Sequence, residues 1–140
     1  EGPDFEIQSD FSSNTTVFES DVVVTDWSTI SCEFSFATKK PTLFIDTPMK
    51  VMNPEYQRLE IEPFDIRIRN IIGRSIAPEN AGSAKAVVDE LLQNSEKYRG
   101  QIEDVMSESL FSIGESGKAG GQYILSSLIQ RKKDKEKKTN

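Results

Sequence analysis

Between Val22 and Ile45 the chain lays down an apolar run, a polar turn, a stretch of helical spacing, a proline and a second apolar run. Val22, Val23 and Val24 are β-branched and continuous, the pattern of a parallel strand covered on both faces. Thr25 and Asp26 end that run, and Ser28 and Thr29 follow where a helix would begin. Both residue types are good helix N-caps. Ile30, Phe34 and Ala37 recur at i, i+4 and i+7 and predict the inward face of this helix. Lys39 and Lys40 suit the negative end of its dipole, and Pro41 stops it. Thr42–Ile45 is the second apolar run, closed by Asp46, Thr47 and Pro48. Strand, helix and strand in so short a span make a βαβ unit, with parallel strands and a right-handed crossover.

The remaining segments add helices more than strands. Phe5 and Ile7 lie in DFEIQS, which reads as a short strand, and Ser9–Asn14 is a polar connection. Thr15–Ser20 predicts one helical turn. The loop Asp46–Tyr56 follows the carboxyl end of a strand, where α/β proteins line ligand sites. Pro63–Gly73 fits helical spacing through Phe64, Ile68, Ile71 and Ile72, with Pro63 at its start and Gly73 as a C-terminal cap. Arg74–Ala77 predicts a last strand, and Gly82–Gln93 and Ser95–Met106 two further helices. Gly114–Gly121 reads as a flexible turn, and Tyr123–Ile129 as a terminal helix with Ile124 and Leu128 on one face. The fold class is α/β, a Rossmann-like parallel sheet flanked by helices. Strands early and helices late suit the second half of a doubly wound domain.

A chain of 140 residues suits one domain, placed at 1–130, with 131–140 as a basic, disordered tail. Glu1 is not methionine and leads almost at once into a strand pattern, so a piece of a longer protein is expected. The tail holds six of the 17 basic and two of the 23 acidic residues, which leaves the body with a net charge of −10. Such a body argues against nucleic acid as a partner. The tail admits two readings, a solvated terminus or a contact with an anionic membrane surface. No apolar run reaches the length of a membrane span.

Asp26, Ser28, Thr29 and Glu33 are the candidate site. Backbone N–H groups at a helix start, with two hydroxyls, can hold a pyrophosphate. Glu33 does not fit the S/T-x-x-E capping box, because Ile30 stands three residues before it. A carboxylate there can accept hydrogen bonds from ribose hydroxyls. The plainer reading is that Ser28 or Thr29 caps the helix and Glu33 is a surface acid. Cys32, the single cysteine, has no histidine to activate it, because the chain contains none; it reads as a small semi-buried residue. The same composition argues against a zinc site and leaves only carboxylates for a harder cation such as magnesium.

The run SDVVVTDWSTISCEFSFATKKPTLFIDTPMKVMNPEY resembles the C-terminal domain of the CDP-glycerol glycerophosphotransferase family, bacterial enzymes that build teichoic-acid-like polymers. The shared pattern is a strand, then Thr25-Asp26, the aromatic Trp27, Ser28 and Thr29, a helix bearing Glu33, then Lys40-Pro41 and another apolar strand. The segment SIGESGKAGGQYI resembles the family's closing region, so the likeness runs from Ser20 to Ile129. A related turn is widespread in GT-B glycosyltransferases and sugar-nucleotide epimerases. The resemblance implies the latter part of the C-terminal domain of a GT-B fold. Ser28 and Thr29 would face the diphosphate of CDP-glycerol, and Glu33 or Asp26 its ribose or the local loop geometry. An acceptor hydroxyl, on a polyol phosphate or a glycan, would attack the glycerol-bearing phosphate and CMP would leave. The resemblance places the enzyme in the cytoplasm or at the inner face of the membrane. It names no firm cofactor. The family's histidines have no counterpart in this chain, so its catalytic base is expected elsewhere. A non-catalytic α/β interaction module, with the basic tail as its contact, is the reading from another functional class.

Overall fold

The computed structural model describes residues 4–9, 15–49 and 55–139. They form a mixed α/β fold, with a three-stranded parallel sheet flanked by helices. In chain order come α1 (Thr15–Glu19), β1 (Val23–Thr25), α2 (Ile30–Thr38), β2 (Thr42–Ile45), α3 (Phe64–Ile72), β3 (Gly73–Ile76), α4 (Ala84–Gln93), α5 (Ser95–Ser109) and α6 (Ser116–Thr139). Short 3-10 turns at Tyr56–Leu59 and Pro78–Ser83 precede α3 and α4. Strand order is β1-β2-β3, with Val24 beside Leu43 and Leu43 beside Arg74.

Side-chain alternation along the strands sorts the helices into layers. Thr42 and Phe44 point to one face: Thr42 shares a 3.2 Å hydrogen bond with Ser35 of α2, and Phe44 lies under Arg69 of α3. Phe36 of α2 and Phe64 of α3 meet at 6.3 Å between ring centroids, so these two helices pack side by side. Leu43 and Arg74 point to the other face, where Arg74 pairs with Glu90 of α4 at 2.7 Å. The core joins Leu43, Phe44, Ile68, Ile72, Ile76, Val87 and Leu91 to Tyr98, Ile102 and Val105 of α5. Each such side chain, taken fully from water, contributes roughly 1.5–3 kcal/mol before entropy is charged against it.

Two compact units divide the chain, Glu1–Met106 and Ser107–Asn140. The sheet and its core lie in the first. The second unit holds α6, which begins at Ser116, ahead of the expected Tyr123. The glycines of 114–121 do not keep that stretch irregular: Gly117, Gly120 and Gly121 fall inside α6. The segment 131–139 forms the end of α6. Lysine and glutamate are good helix formers, and the Gln130 amide donates to Asp134 one turn on at 2.9 Å. DFEIQS forms no extended strand; Phe5 is a single bridge residue and is exposed. Parts of the expected connections Ser9–Asn14 and Asp46–Tyr56 fall at 10–14 and 50–54, outside the described residues.

Gly73 corrects another expectation. It does not cap α3 in a left-handed turn; its backbone is extended (φ −178°) and begins β3 at once. A Cβ there would stand 1.7 Å from the carbonyl oxygen of Thr42, on the neighbouring strand. Glycine is therefore required by the close approach of β2. Gly73→Ala must push β2 and β3 apart, and we expect it to cost about 3 kcal/mol or more, read as a lower urea midpoint by circular dichroism. A midpoint equal to that of the wild type would show that the strands separate freely.

Candidate functional site

The turn Asp26–Thr29 lies at the carboxyl end of β1 and leads straight into α2. The start of α2 follows from weak local bonds. Thr29 is the N-cap residue, but its side chain makes no cap hydrogen bond. Ser28 Oγ accepts from the Ile30 amide at a long 3.4 Å, and the Ser31 amide reaches the Ser28 carbonyl at 3.4 Å. Only at Cys32, which donates to the Thr29 carbonyl at 3.0 Å, does the ladder tighten. Bonds of 3.4 Å lie beyond the usual N–H···O range. Asp26, Ser28, Thr29 and Glu33 are all exposed. The structure brings all four to one end of the sheet, with Glu33 in the first turn of α2, where its charge suits the helix dipole.

The turn is held from below by Arg69. Its guanidinium donates to the Asp26 carbonyl at 2.7 Å and to the Asp46 carboxylate at 2.5 Å. It stacks over Trp27 at 3.9 Å and over Phe44 at 4.3 Å. Trp27 Nε1 donates to the Thr47 carbonyl at 2.7 Å, and the Thr47 hydroxyl reaches the Asp26 carboxylate at 3.5 Å. The ends of β1 and β2 are thus tied to each other and to α3. Asp26 therefore serves the geometry of the turn through both its carbonyl and its carboxylate. A second tie holds the entry to β1, where Lys40 Nζ donates to the Ser20 carbonyl at 2.8 Å and to Asp21 at 3.0 Å.

Sequence reasoning placed Ser28, Thr29 and Trp27 in one turn but missed Arg69, Asp46 and Thr47. The available signal was position: Arg69 is adjacent to Ile68 and three residues before Ile72, on the buried stripe of α3. The inward face of α2 also differs. Ser31, Phe34 and Ser35 are buried, whereas Ala37 is exposed and Ile30 only half-buried. The two serines are buried at low cost because each is satisfied, Ser35 by Thr42 and Ser31 by the Ser28 carbonyl at 3.0 Å.

Cys32 is half-buried. Burial pushes its thiol above the ordinary value, the nearby Asp65 and Glu33 charges push the same way, and a hydrogen bond with Ser31 opposes them. The thiol is thus protonated at neutral pH and is no activated nucleophile. Among the described residues no group of three or more His, Cys, Asp or Glu side chains is placed to hold a metal ion. No described helix is long and apolar enough to cross a membrane. Comparisons with protein families, with curated proteins and with solved structures give no match.

Two outcomes are expected. Arg69→Met strands the Asp46 carboxylate and frees the Asp26 carbonyl. It should cost about 2 kcal/mol by urea denaturation, below the full cost for a buried pair because Asp46 is partly hydrated. Cys32 should react with iodoacetamide more slowly in the folded chain than in urea at pH 8, and its rate should begin to climb at higher pH when folded.

Proposed function

We propose that this chain is the latter part of a GT-B donor domain, from a CDP-glycerol glycerophosphotransferase-like enzyme, and that the Asp26–Thr29 turn holds the donor diphosphate. One observation carries the reading: the hydroxyls of Ser28 and Thr29 and the first amides of α2 stand at the carboxyl end of a parallel strand without strong partners of their own. A phosphate oxygen offers those amides shorter, charge-assisted bonds than the 3.4 Å contacts it would replace. The α2 dipole adds to the attraction. Arg69 is committed to Asp46 and the Asp26 carbonyl, so amides and hydroxyls are the groups this turn offers an anion.

The sheet supports the wider assignment. Its order runs β1-β2-β3 without reversal, as in one half of a doubly wound sheet, with the switch point beyond β1. Val24 of β1 is 55% exposed on the face where α4 covers β2 and β3, which suits a sheet that continues past β1. In this reading an acceptor hydroxyl attacks the glycerol-bearing phosphate of CDP-glycerol, the phosphorus–oxygen bond to the CMP phosphate breaks, and CMP leaves. The turn stabilises the charge that gathers on the leaving phosphate. Glu33, one turn into α2, accepts from a ribose hydroxyl. The base that takes the acceptor proton comes from outside this chain, which has no histidine. A sugar-nucleotide enzyme of the same fold would use the same turn and differ in the base it selects.

Amide-resolved NMR titration with CDP, UDP and free diphosphate tests this. We expect shifts centred on Ser28, Thr29 and Glu33, larger for CDP, and a roughly fivefold weaker affinity in Ser28→Ala, as one lost hydrogen bond implies. Larger shifts for UDP would move the assignment to a sugar-nucleotide enzyme. Shifts absent from the turn for all three ligands would overturn it as a diphosphate site in this chain.

A further inference from the structure

The unit Ser107–Asn140 carries a surface that the nucleotide site does not explain. On α6, Ile124, Leu125, Leu128 and Ile129 are spaced i, i+1, i+4 and i+5, so they form one stripe, and all four are between 48% and 61% exposed. Gly121 opens the stripe on its N-terminal side. Lys132 and Lys135 continue it, at one turn beyond Leu128 and at seven residues beyond it. Arg131 and Lys133 flank the same end. Ser126, Gln130 and the exposed Tyr123 lie on the opposite side, where Gln130 is bonded to Asp134, and Gln122 stands at the edge of the stripe, seven residues before Ile129. From Arg131 to Lys138 six basic residues face two acidic ones, while the rest of the chain has a net charge of −10.

This order of groups selects one occupant. A second α6 packed parallel along the stripe would bring Lys132 and Lys135 against their own copies in the seam, where like charges repel, and one packed antiparallel would set them beside Gly121 and Lys118, with no acidic partner. An anionic lipid surface accepts both parts. The apolar stripe enters the acyl boundary, and the lysine stems lie along it while their ammonium groups reach lipid phosphates. Near such a surface each lysine or arginine adds to the binding, whereas the acidic body is repelled and stays in water. The helix is too polar to cross the membrane, which leaves it in the interface plane. We propose that α6 is an interfacial helix that docks on anionic lipid through Ile124, Leu125, Leu128 and Ile129, with Arg131, Lys132, Lys133 and Lys135 on the headgroups.

Flotation of the full 140-residue chain with vesicles tests the proposal. The chain should float with phosphatidylcholine vesicles that contain phosphatidylglycerol, stay behind with phosphatidylcholine alone, and be released by added salt. Lys132→Glu with Lys135→Glu should lower partitioning at least roughly twentyfold, by the loss of two surface lysines. Leu125→Ser with Leu128→Ser should lower it as well. Lys85→Glu with Lys97→Glu, on α4 and α5, should leave it unchanged. Equal flotation with neutral and anionic vesicles, or wild-type flotation of the charge-reversed variant, would overturn the proposal. So would a concentration-dependent dimer, dispersed by the serine variant, that does not float. Vesicle binding and nucleotide binding are read separately, so either can fail without the other.

Discussion

A guanidinium buried between two aromatic rings holds together the carboxyl ends of β1 and β2. Arg69 exposes 7% of its side chain, and taking its charge out of water is costly. Three features offset that cost: the Asp46 carboxylate, the Asp26 carbonyl, and the faces of Trp27 and Phe44. The partners come from two places, Phe44 and Asp46 from β2 and its exit and Asp26 and Trp27 from the turn after β1, while Arg69 itself belongs to α3. The consequence is positional. The turn that carries Ser28 and Thr29 has its first residue fixed by a side chain from a helix 43 residues away. Lysine cannot replace this arrangement, because only a planar fork both stacks and donates in two directions.

The fixed turn leaves its far side free. Capping of α2 is weak by design of the local sequence, with a Thr29 side chain that makes no cap bond and amides that open the helix on 3.4 Å contacts. A rigid base with loosely engaged donors above it is the arrangement that preorganised anion binding requires, since little has to reorganise when the ligand arrives. The same turn lies among acids, Asp26, Asp46 and Glu33. The Asp46 charge is neutralised by Arg69, and Asp26 turns toward the Thr47 hydroxyl. These two carboxylates are thereby directed into the frame of the turn, and Glu33 stays exposed.

Much of the frame was legible from residues alone. β2 falls at Thr42–Ile45, α3 within Pro63–Gly73, and α4 within Gly82–Gln93, because apolar periodicity and proline or glycine punctuation mark them. What stayed hidden depends on contacts distant in sequence. Ser31 and Ser35 look like surface positions until Thr42 and the Ser28 carbonyl are placed beside them. Arg69 looks like one more charged helix residue until Trp27 and Asp46 converge on it. Gly73 looks like a cap until β2 is known to press on its α-carbon. The helix through 131–139 was missed for another reason: its residues hold no core, and their helical propensity acts without an apolar signal.

In the proposed function, Arg69 sets the shape in which the Asp26–Thr29 turn would meet a diphosphate. Calorimetric titration of CDP into Arg69→Lys tests it most directly, because this variant keeps the charge and loses the planar fork. With the fold verified by circular dichroism, the account predicts an affinity for CDP at least roughly tenfold below wild type. A folded Arg69→Lys chain that binds CDP as tightly as wild type would contradict it.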